Sequence, residues 1–214
     1  MSILSELSEQ LQRGKANEVK DLVQKALDEG LEPRAILEEG LMDGMGIIGE
    51  KFKNNQVYVP EVLIAARAMN AGIVVLKPHL ITSGVKSRGK VVLGTVKGDL
   101  HDIGKNLVKM MMEGKGLEVI DIGVDIPAEK FISTAIENDA DIIACSALLT
   151  TTMTEMRNIV DKMVEDGVRD RFKIMVGGAP VTESFCKTVG ADLYAPDASS
   201  AADVAVEYCV SKTG

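Results

Sequence analysis

The sequence predicts an α/β protein in which a four-helix bundle is followed by a doubly wound, parallel, five-stranded sheet. Two observations lead to this prediction. Residues 1–84 carry apolar side chains at helical spacing, and from residue 90 onwards strand-like and helix-like patterns alternate five times. A small, polar stretch at 85–89 separates the two regions. We therefore expect a helical domain (1–84), a linker (85–89) and an α/β domain (90–214).

The helical domain is predicted to contain four helices, at about residues 5–12, 17–29, 33–52 and 60–77. Pro33 and Pro60 stand in first turns, where a proline is tolerated, and Pro78 is expected to end the fourth helix. The third helix has several glycines, which weaken a helix interior. Either close packing against a neighbouring helix or room for a ligand would explain Gly40, Gly44, Gly46 and Gly49.

The α/β domain shows continuous apolar strands, which are typical of a parallel sheet covered on both faces. The predicted strands are 91–96, 117–122, 141–145, 173–176 and 193–195. Helices are predicted between and after them, at 103–113, 128–138, 152–166, 182–189 and 199–211. Asp102 is placed to cap the first of these helices, and Gly114 or Gly116 to end it.

Composition and charge argue against several classes of function. The net charge of -8 gives no general electrostatic reason to bind nucleic acid or an anionic membrane. We expect no apolar run of membrane-spanning length and see no signal peptide, so a cytoplasmic protein is predicted. The cysteines are too widely separated for a zinc site or a disulfide framework, which indicates free thiols at Cys145, Cys186 and Cys209.

Three loops of the α/β domain follow strands, and strand-to-helix loops of a parallel sheet share its C-terminal edge, where ligands bind. The first loop contains Asp99 and His101, the second begins at Ser146, and the third contains Gly177 and Gly178. A histidine that binds a metal usually donates its other ring N–H to a carboxylate, a role that Asp99 can fill. The two glycines leave a surface free of side chains for a bulky group.

The number of histidines limits the kind of metal site. The chain has only His79 and His101, so a site built from several histidines is excluded. A metal held by one histidine must bring most of its other ligands, as in a haem or a corrinoid. No CxxCH motif for covalent haem attachment occurs. In the first loop Gly94, Gly98 and Gly104 do not make the GxGxxG pattern of dinucleotide-binding loops, and the chain has no GxxxxGK[ST] motif.

The three loops together resemble the three-part signature of cobalamin-binding Rossmann-like domains, which have a flavodoxin-type sheet. The matching residues are, in order, Asp99-x-His101-x-x-Gly104, Ser146-x-Leu148 and Gly177-Gly178. The helices before them are similar to that family's helical cap in Lys51-Phe52 and Val59-Pro60-Glu61-Val62. The resemblance covers nearly the whole chain and extends to the stand-alone corrinoid proteins of anaerobic methyltransferase systems.

This resemblance implies a role for each matching residue. His101 would replace the cofactor's own benzimidazole as the lower cobalt ligand, Asp99 would hydrogen-bond His101, and Ser146 would continue the relay. The cofactor would contact Gly98, Asp102, Ile103, Gly104, Leu148, Thr150, Thr152, Gly177 and Gly178. Of these, Gly104, Leu148, Gly177 and Gly178 would make room for its nucleotide tail, with Thr150 and Thr152 as polar partners. The helical cap would cover the upper face of the corrin through Val59, Glu61 and Met69, although Met69 also fits a simple core position.

The same resemblance implies a methyl carrier without catalytic activity of its own. Cobalt(I) of a cobalamin or related corrinoid would accept a methyl group from a substrate-specific methyltransferase. The resulting methylcobalamin-type cobalt(III) would then pass the methyl group to an acceptor methyltransferase, which uses a thiol or tetrahydrofolate. A methylated amine is the favoured donor over methanol, betaines and aryl methyl ethers. A reductive activase is a further candidate partner.

Three other functions fit this sequence less well. A small subunit of an adenosylcobalamin-dependent mutase would share the His101 loop, but this chain has no residues left for a substrate barrel. A cobalamin-binding sensor would need a DNA-binding segment, and no basic helix is apparent. A receiver-like protein with no cofactor would leave the coincidence of Asp99, His101, Ser146 and Gly178 unexplained.

Overall fold

The structure is a computed structural model that describes residues 2–212 in full and the backbone of residue 213. Met1 and Gly214, the outermost residues of the two predicted domains, lie outside the described residues. The chain forms two compact units, one of residues 1–86 and 114–116 and the other of 87–113 and 117–214. Each is built around its own buried apolar core.

The helical unit begins with α1 (Ile3–Gln12) and α2 (Ala16–Asp28). A short helix α3 (Pro33–Ala35) continues through a π-helical turn, Ile36–Met42, into α4 (Asp43–Lys53). The predicted third helix is therefore one helical stretch interrupted by π geometry. Close packing explains two of its glycines, because a Cβ on Gly40 would lie 2.6 Å from Leu7 and one on Gly44 would lie 3.1 Å from Ser8.

The last helix of this unit, α5 (Val59–Thr82), is longer than predicted. Pro78 lies inside it and does not end it. The bond that Pro78 cannot form would go to the carbonyl group of Val74. Both residues lie on the exposed face of the helix, where water can satisfy that carbonyl group.

The apolar character of α5 corrects one sequence-based expectation. Within the described residues it is the one helix long and apolar enough to cross a membrane, by length and composition alone. Its buried face packs against α2 and includes Val62, Ala65, Met69, Gly72 and Leu76. A helix that buries one face in this way belongs to the core of the helical unit.

The second unit confirms the predicted fold class. Its five strands are β1 (Lys90–Val96), β2 (Glu118–Ile126), β3 (Ile142–Ser146), β4 (Lys173–Gly177) and β5 (Leu193–Tyr194). All strand pairs are parallel and the order is β2-β1-β3-β4-β5. The chain first crosses from β1 to β2 and then returns to the other side of β1, so the sheet is doubly wound with its switch point between β1 and β3.

The helices that cover this sheet are α6 (Ile103–Gly114), α7 (Ala128–Glu137), α8 (Thr154–Glu165), α9 (Glu183–Val189) and α10 (Ala198–Thr213). Asp102, which was expected to cap α6, lies directly before this helix, and its Oδ2 accepts from the side-chain amide of Asn106 at 3.1 Å. Strand β2 is four residues longer at its C-terminal end than the predicted 117–122, since it continues to Ile126 through two irregularities in its pairing with β1.

Candidate functional site

The loop between β1 and α6 is held in place from inside the sheet. Thr95, fully buried near the end of β1, donates its hydroxyl hydrogen to the carbonyl oxygen of His101 at 2.9 Å. The Asp99 N–H donates to the carbonyl oxygen of Val96 at 3.1 Å, which turns the chain back on itself. The turn uses Gly98 at a φ of 80°, a left-handed conformation that suits glycine. The loop therefore returns His101 to the C-terminal end of its own strand.

Asp99 is the centre of the site. Its side chain is fully buried, and Oδ1 lies 2.7 Å from His101 Nδ1 and 3.1 Å from the His101 backbone nitrogen. The second oxygen, Oδ2, accepts from the N–H groups of Leu148 and Leu149 at 2.8 and 3.1 Å and from the Thr152 hydroxyl at 2.9 Å. One carboxylate thus connects the loop after β1 with the loop after β3, the two strands on either side of the switch point.

The hydrogen bonds keep this buried carboxylate ionised. Burial alone would raise the pKa of Asp99. The N–H groups of Leu149 and Leu148 and the N–H donors of His101 lower the pKa by a larger amount, so the net pKa lies well below the usual range. An ionised carboxylate has no proton to donate, so Nδ1 of His101 must be the donor. In the neutral ring, Nε2 then carries the free lone pair that a metal requires.

The His101 ring is accessible as well as oriented. Its side chain is 51% exposed, whereas that of Asp99 is completely covered. Four apolar side chains on the same two loops are also exposed at this edge, and they are Leu100, Ile103, Leu148 and Leu149. Exposed apolar side chains around an accessible imidazole suit the flat, largely apolar face of a macrocycle.

The loop after β4 contributes a surface without side chains. Gly178 adopts a φ of 132°, and a Cβ there would lie 1.9 Å from the carbonyl oxygen of Ala147. A Cβ on Gly177, or on Gly104 in the first loop, would meet nothing within 4 Å. In the sheet, Ser146 pairs with Thr95 on one side and with Gly177 on the other. The space beside Ser146 is therefore open along Gly177, which fits the tail of a large cofactor.

The structure corrects the predicted relay. Among the described residues, Ser146 is not a hydrogen-bond partner of Asp99, and Thr152 occupies that role. Ser146 is the last residue of β3, whereas Thr152 lies six residues further on, where the loop has folded back over Asp99. Thr152 is also buried, so its hydroxyl serves Asp99 and is not exposed to a ligand, unlike that of Thr150.

The candidates in the helical unit lie in three different environments. Met69 is 2% exposed and belongs to the core of that unit, which is the alternative that the sequence left open for it. Glu61 is exposed, and its carboxylate accepts from the Tyr58 N–H at 3.0 Å, which caps the start of α5. Val59, the first residue of α5, is half-buried. The exposed apolar side chains near this end of α5 are Tyr58, Leu63 and Ile64.

Sequence reasoning did not identify two residues that support the first loop. Thr95 is a polar side chain within the apolar run 91–96, and a polar residue in a buried strand is a sequence feature that points to a specific hydrogen bond. Asp125 follows a glycine and a valine near the end of β2, and its Oδ1 accepts from the Gly98 N–H at 2.7 Å. No sequence pattern indicated this contact, because it depends on how β2 bends.

Within residues 2–213, no three His, Cys, Asp or Glu side chains are grouped so that they could hold a metal ion. A metal held at His101 would have to bring most of its other ligands. The residues present fit such a group, with one oriented nitrogen, exposed apolar side chains on the same loops and open space beside Gly177 and Gly104.

Comparison with known proteins agrees with this arrangement. Residues 89–203 match the family model described as the B12 binding domain, and residues 3–77 match a second model with the same description. Dimethylamine corrinoid protein 2 of Methanosarcina acetivorans is 42% identical over 98% of this chain and 97% of its own length. A corrinoid protein of Desulfitobacterium hafniense is 40% identical over 96% of both chains.

A solved structure gives the same result for the fold. The methanol:cobalamin methyltransferase complex of Methanosarcina barkeri contains a chain that matches this protein with a TM-score of 0.86 and 28% identity. The match covers 97% of this chain and 79% of the other. Together, the two family matches and the relatives of full length show that the chain belongs to the family of B12-binding corrinoid proteins.

Proposed function

We propose that this protein is the methyl-carrying corrinoid protein of a methyltransferase system and that it uses a methylated amine as the source of the methyl group. The observation that carries the proposal is the Asp99–His101 pair, which presents one oriented, accessible imidazole nitrogen at the switch point of the sheet. The names of the dimethylamine corrinoid relatives support the choice of an amine.

In this proposal His101 is the lower axial ligand of a cobalamin or related corrinoid. Asp99 Oδ1 keeps the proton on Nδ1, so that Nε2 can bind the metal. When bound, the corrinoid supplies a cobalt atom that takes up and gives away a methyl group.

The remaining residues of the three loops would contact the cofactor or support the Asp99–His101 pair. The open space beside Ser146 and Gly177 would receive the nucleotide tail, with Leu148, Thr150 and Gly178 as further contacts. Gly98, Asp102, Ile103 and Gly104 form the rim of the first loop, where Ile103 is 75% exposed. Thr152 supports Asp99 from the protein side.

The two units have separate tasks in this proposal. Residues 90–214 form the cobalamin-binding domain, 85–89 the linker and 1–84 the cap for the upper face of the corrin. Val59 and Glu61 remain candidates for that face. A cap of this kind must move aside for each partner and return to keep water from the bound methyl group.

The protein is proposed to have partners but no turnover alone. A substrate-specific methyltransferase would supply the methyl group, an acceptor methyltransferase would remove it, and a reductive activase would restore the reduced cobalt. The solved methanol:cobalamin methyltransferase complex supports the first of these, because it holds a matching chain in an assembly with a methyltransferase. We place the system in the cytoplasm.

Reconstitution with cobalamin tests the proposed ligand. The purified chain should retain the cofactor through gel filtration, with the visible spectrum of a base-off form that is bound to a protein histidine. His101→Ala should lose the cofactor or change that spectrum, and His79→Ala should match wild type. Equal retention and equal spectra for wild type and His101→Ala would overturn the proposal.

A second experiment tests the amine. The methylated protein should form when the reduced holoprotein is mixed with dimethylamine and the methyltransferase that co-purifies with it. Methanol, a betaine and an aryl methyl ether serve as competing donors in the same assay. Methylation from one of those donors and not from any methylamine would contradict the proposed substrate class.

A further inference from the structure

We propose that Asp125, at the C-terminal end of β2, is a positioning residue that sets the orientation of the Asp99–His101 pair. This inference rests on the proposed role of His101 as the cobalt ligand and adds a residue from a third segment of the chain. Asp125 lies in none of the three loops of the signature. It acts through the backbone of the first loop.

The pairing of β2 with β1 brings Asp125 to this position. From Leu93 to Val96, β1 advances by three residues, while the paired stretch of β2 advances by five, from Asp121 to Ile126. The two extra residues of β2 form bulges beside the site. Bulges increase the local twist of a strand and redirect its side chains, and they are common next to functional sites.

Two residues of the bulged stretch have left-handed backbone conformations. Gly123 has a φ of 93° and Asp125 a φ of 57°. Glycine adopts this region freely, whereas a residue with a Cβ is strained there, although aspartate tolerates it better than most. Such a conformation persists where the surrounding contacts hold it, so the contacts of Asp125 need to be identified.

Asp125 forms two hydrogen bonds with the first loop, one through its side chain and one through its backbone N–H. Its Oδ1 accepts from the Gly98 N–H at 2.7 Å, and its own N–H donates to the carbonyl oxygen of Asp99 at 3.0 Å. The two residues immediately before Leu100 are therefore held on both sides by one aspartate. Because Asp99 is attached to this held backbone, a change at Asp125 moves the carboxylate that orients His101.

A second contact anchors the other end of the loop to the same strand. Lys105, in the first turn of α6, is 3% exposed, and its Nζ lies 2.5 Å from Asp121 Oδ1. Strand β2 thus holds the segment on both sides of His101, at Asp121 and at Asp125. Only the Asp125 contact adjoins Asp99, so it is the contact that can adjust the pair.

The test uses three substitutions. Asp125→Gly removes the acceptor and keeps a residue that accepts a positive φ. Asp125→Asn removes the charge but keeps an acceptor oxygen and tolerates the same backbone region. Asp139→Gly is the matched control, because Asp139 is also an aspartate at positive φ (49°), in the turn between α7 and β3 at the opposite edge of the sheet.

Two properties are measured. In the protein without cofactor, the Gly98 amide should exchange its hydrogen about two- to tenfold faster in Asp125→Gly, the range expected for loss of one hydrogen bond. In the cobalamin-loaded protein, reduced to cobalt(II), electron paramagnetic resonance reports whether an axial nitrogen is bound. Across a pH series, the ratio of histidine-off to histidine-on cobalt should rise about two- to tenfold in Asp125→Gly. Asp125→Asn and Asp139→Gly should match wild type in both.

Each possible result of these measurements leads to a different conclusion. Faster amide exchange with an unchanged ratio of cobalt forms would make Asp125 a purely structural residue and overturn the inference. An equal shift in Asp125→Asn would assign the effect to charge and overturn it as well, as would an equal shift in Asp139→Gly. Absence of any axial nitrogen in the wild-type protein would instead refute the proposed function, and this inference with it.

Discussion

The hydroxyl of Thr152 donates to Asp99 Oδ2 at 2.9 Å, across 53 residues of sequence. With the N–H groups of Leu148 and Leu149, it surrounds one oxygen of a fully buried carboxylate. The other oxygen of Asp99 is left for His101. The hydrogen bonds from the loop after β3 therefore offset the free-energy cost of burying the Asp99 carboxylate. The carboxylate can then orient the proposed cobalt ligand.

Removal of the Thr152 hydroxyl should destabilise the protein. Thr152→Val keeps the shape of the side chain but takes one donor from a buried, ionised group, and the free energy of unfolding should fall by about 1–3 kcal/mol. Thr152→Ser should recover most of the loss. Urea unfolding of the cofactor-free protein measures both.

The control for this change is Thr154→Val. The Thr154 residue is exposed, and within the described part of the chain its hydroxyl donates to the Thr151 carbonyl oxygen at 3.4 Å. Its loss should alter the free energy of unfolding by less than about 0.5 kcal/mol. Equal stability of Thr152→Val and Thr154→Val would show that the Thr152–Asp99 hydrogen bond does not support the site.

The two neighbouring glycines should respond differently to alanine. Gly178→Ala should lower the free energy of unfolding by at least about 2 kcal/mol, because a Cβ would lie 1.9 Å from the Ala147 carbonyl oxygen and the φ of 132° is unfavourable for alanine. Gly177→Ala meets nothing within 4 Å and should stay within about 0.5 kcal/mol of wild type.

Cofactor binding adds a second comparison at Gly177. Its added methyl group would fill the space proposed for the nucleotide tail, so Gly177→Ala should fold normally but retain cobalamin less well than wild type. Thermal unfolding and cobalamin retention on gel filtration measure the two effects. If Gly177→Ala retained cobalamin as well as wild type does, the proposal that the nucleotide tail lies beside Ser146 and Gly177 would be contradicted.

The buried Lys105–Asp121 ion pair should be costly to break from one side. Lys105→Met leaves Asp121 half-buried without its nearest cation, and the free energy of unfolding should fall by about 3–5 kcal/mol. Adding Asp121→Asn should recover part of the loss, because the amide is neutral and still offers an acceptor to Gly123. Urea unfolding of the single and double variants measures this coupling.

Lys109 provides the comparison for that pair. Its Nζ lies 3.6 Å from Asp121 Oδ2, and its side chain is 34% exposed, so Lys109→Met should cost less than about 1 kcal/mol. If both lysine variants lose the same stability, the burial of Lys105 has no special energetic role.

The acid sensitivity of the fold should depend partly on Asp192. Burial alone would raise the pKa of Asp192. Hydrogen bonds from Arg169, from the Ile174 N–H and from Lys173 lower the pKa by a larger amount, so the pKa in the folded protein is below its ordinary value. A lowered folded-state pKa stabilises the protein above the unfolded pKa, which is about 4 for aspartate. This contribution is lost as the pH falls below that value.

Substitution of Asp192 tests this dependence. Asp192→Asn should be less stable than wild type by about 1–3 kcal/mol at about pH 7, and the difference should shrink at about pH 3. Asp170→Asn, at an exposed aspartate, controls for the change in net charge. A difference between wild type and Asp192→Asn that stays constant with pH would contradict the assignment.

Much of the architecture could be predicted from local patterns in the sequence. Apolar periodicity gave the order of helices and strands, and the parallel sheet then required the Asp99–His101, Ser146 and Gly177–Gly178 segments to share one edge. Pro78 was misread because a proline ends a helix only where its missing hydrogen bond cannot be replaced. The longer β2 was missed because bulges at Gly123 and Asp125 interrupt the apolar pattern.

The relay could not be resolved by the same means. Ser146 and Thr152 are both hydroxyl residues in one loop, and sequence spacing alone does not say which hydroxyl turns towards Asp99. The folded loop answers this, because the donors of Leu148, Leu149 and Thr152 converge on one oxygen. Contacts such as Asp125 with Gly98, 27 residues apart, likewise depend on tertiary geometry.

The most direct test of the central claim is an isotope experiment on the cobalt(II) holoprotein. The chain is produced with histidine labelled by the heavy isotope of nitrogen, loaded with unlabelled cobalamin and examined by electron paramagnetic resonance. His79→Ala removes the only other histidine, so any label effect must then come from His101. The account predicts that the axial nitrogen splitting changes from a triplet to a doublet. An unchanged triplet would mean that the cofactor's own base binds the metal, and it would contradict the claim that His101 is the ligand.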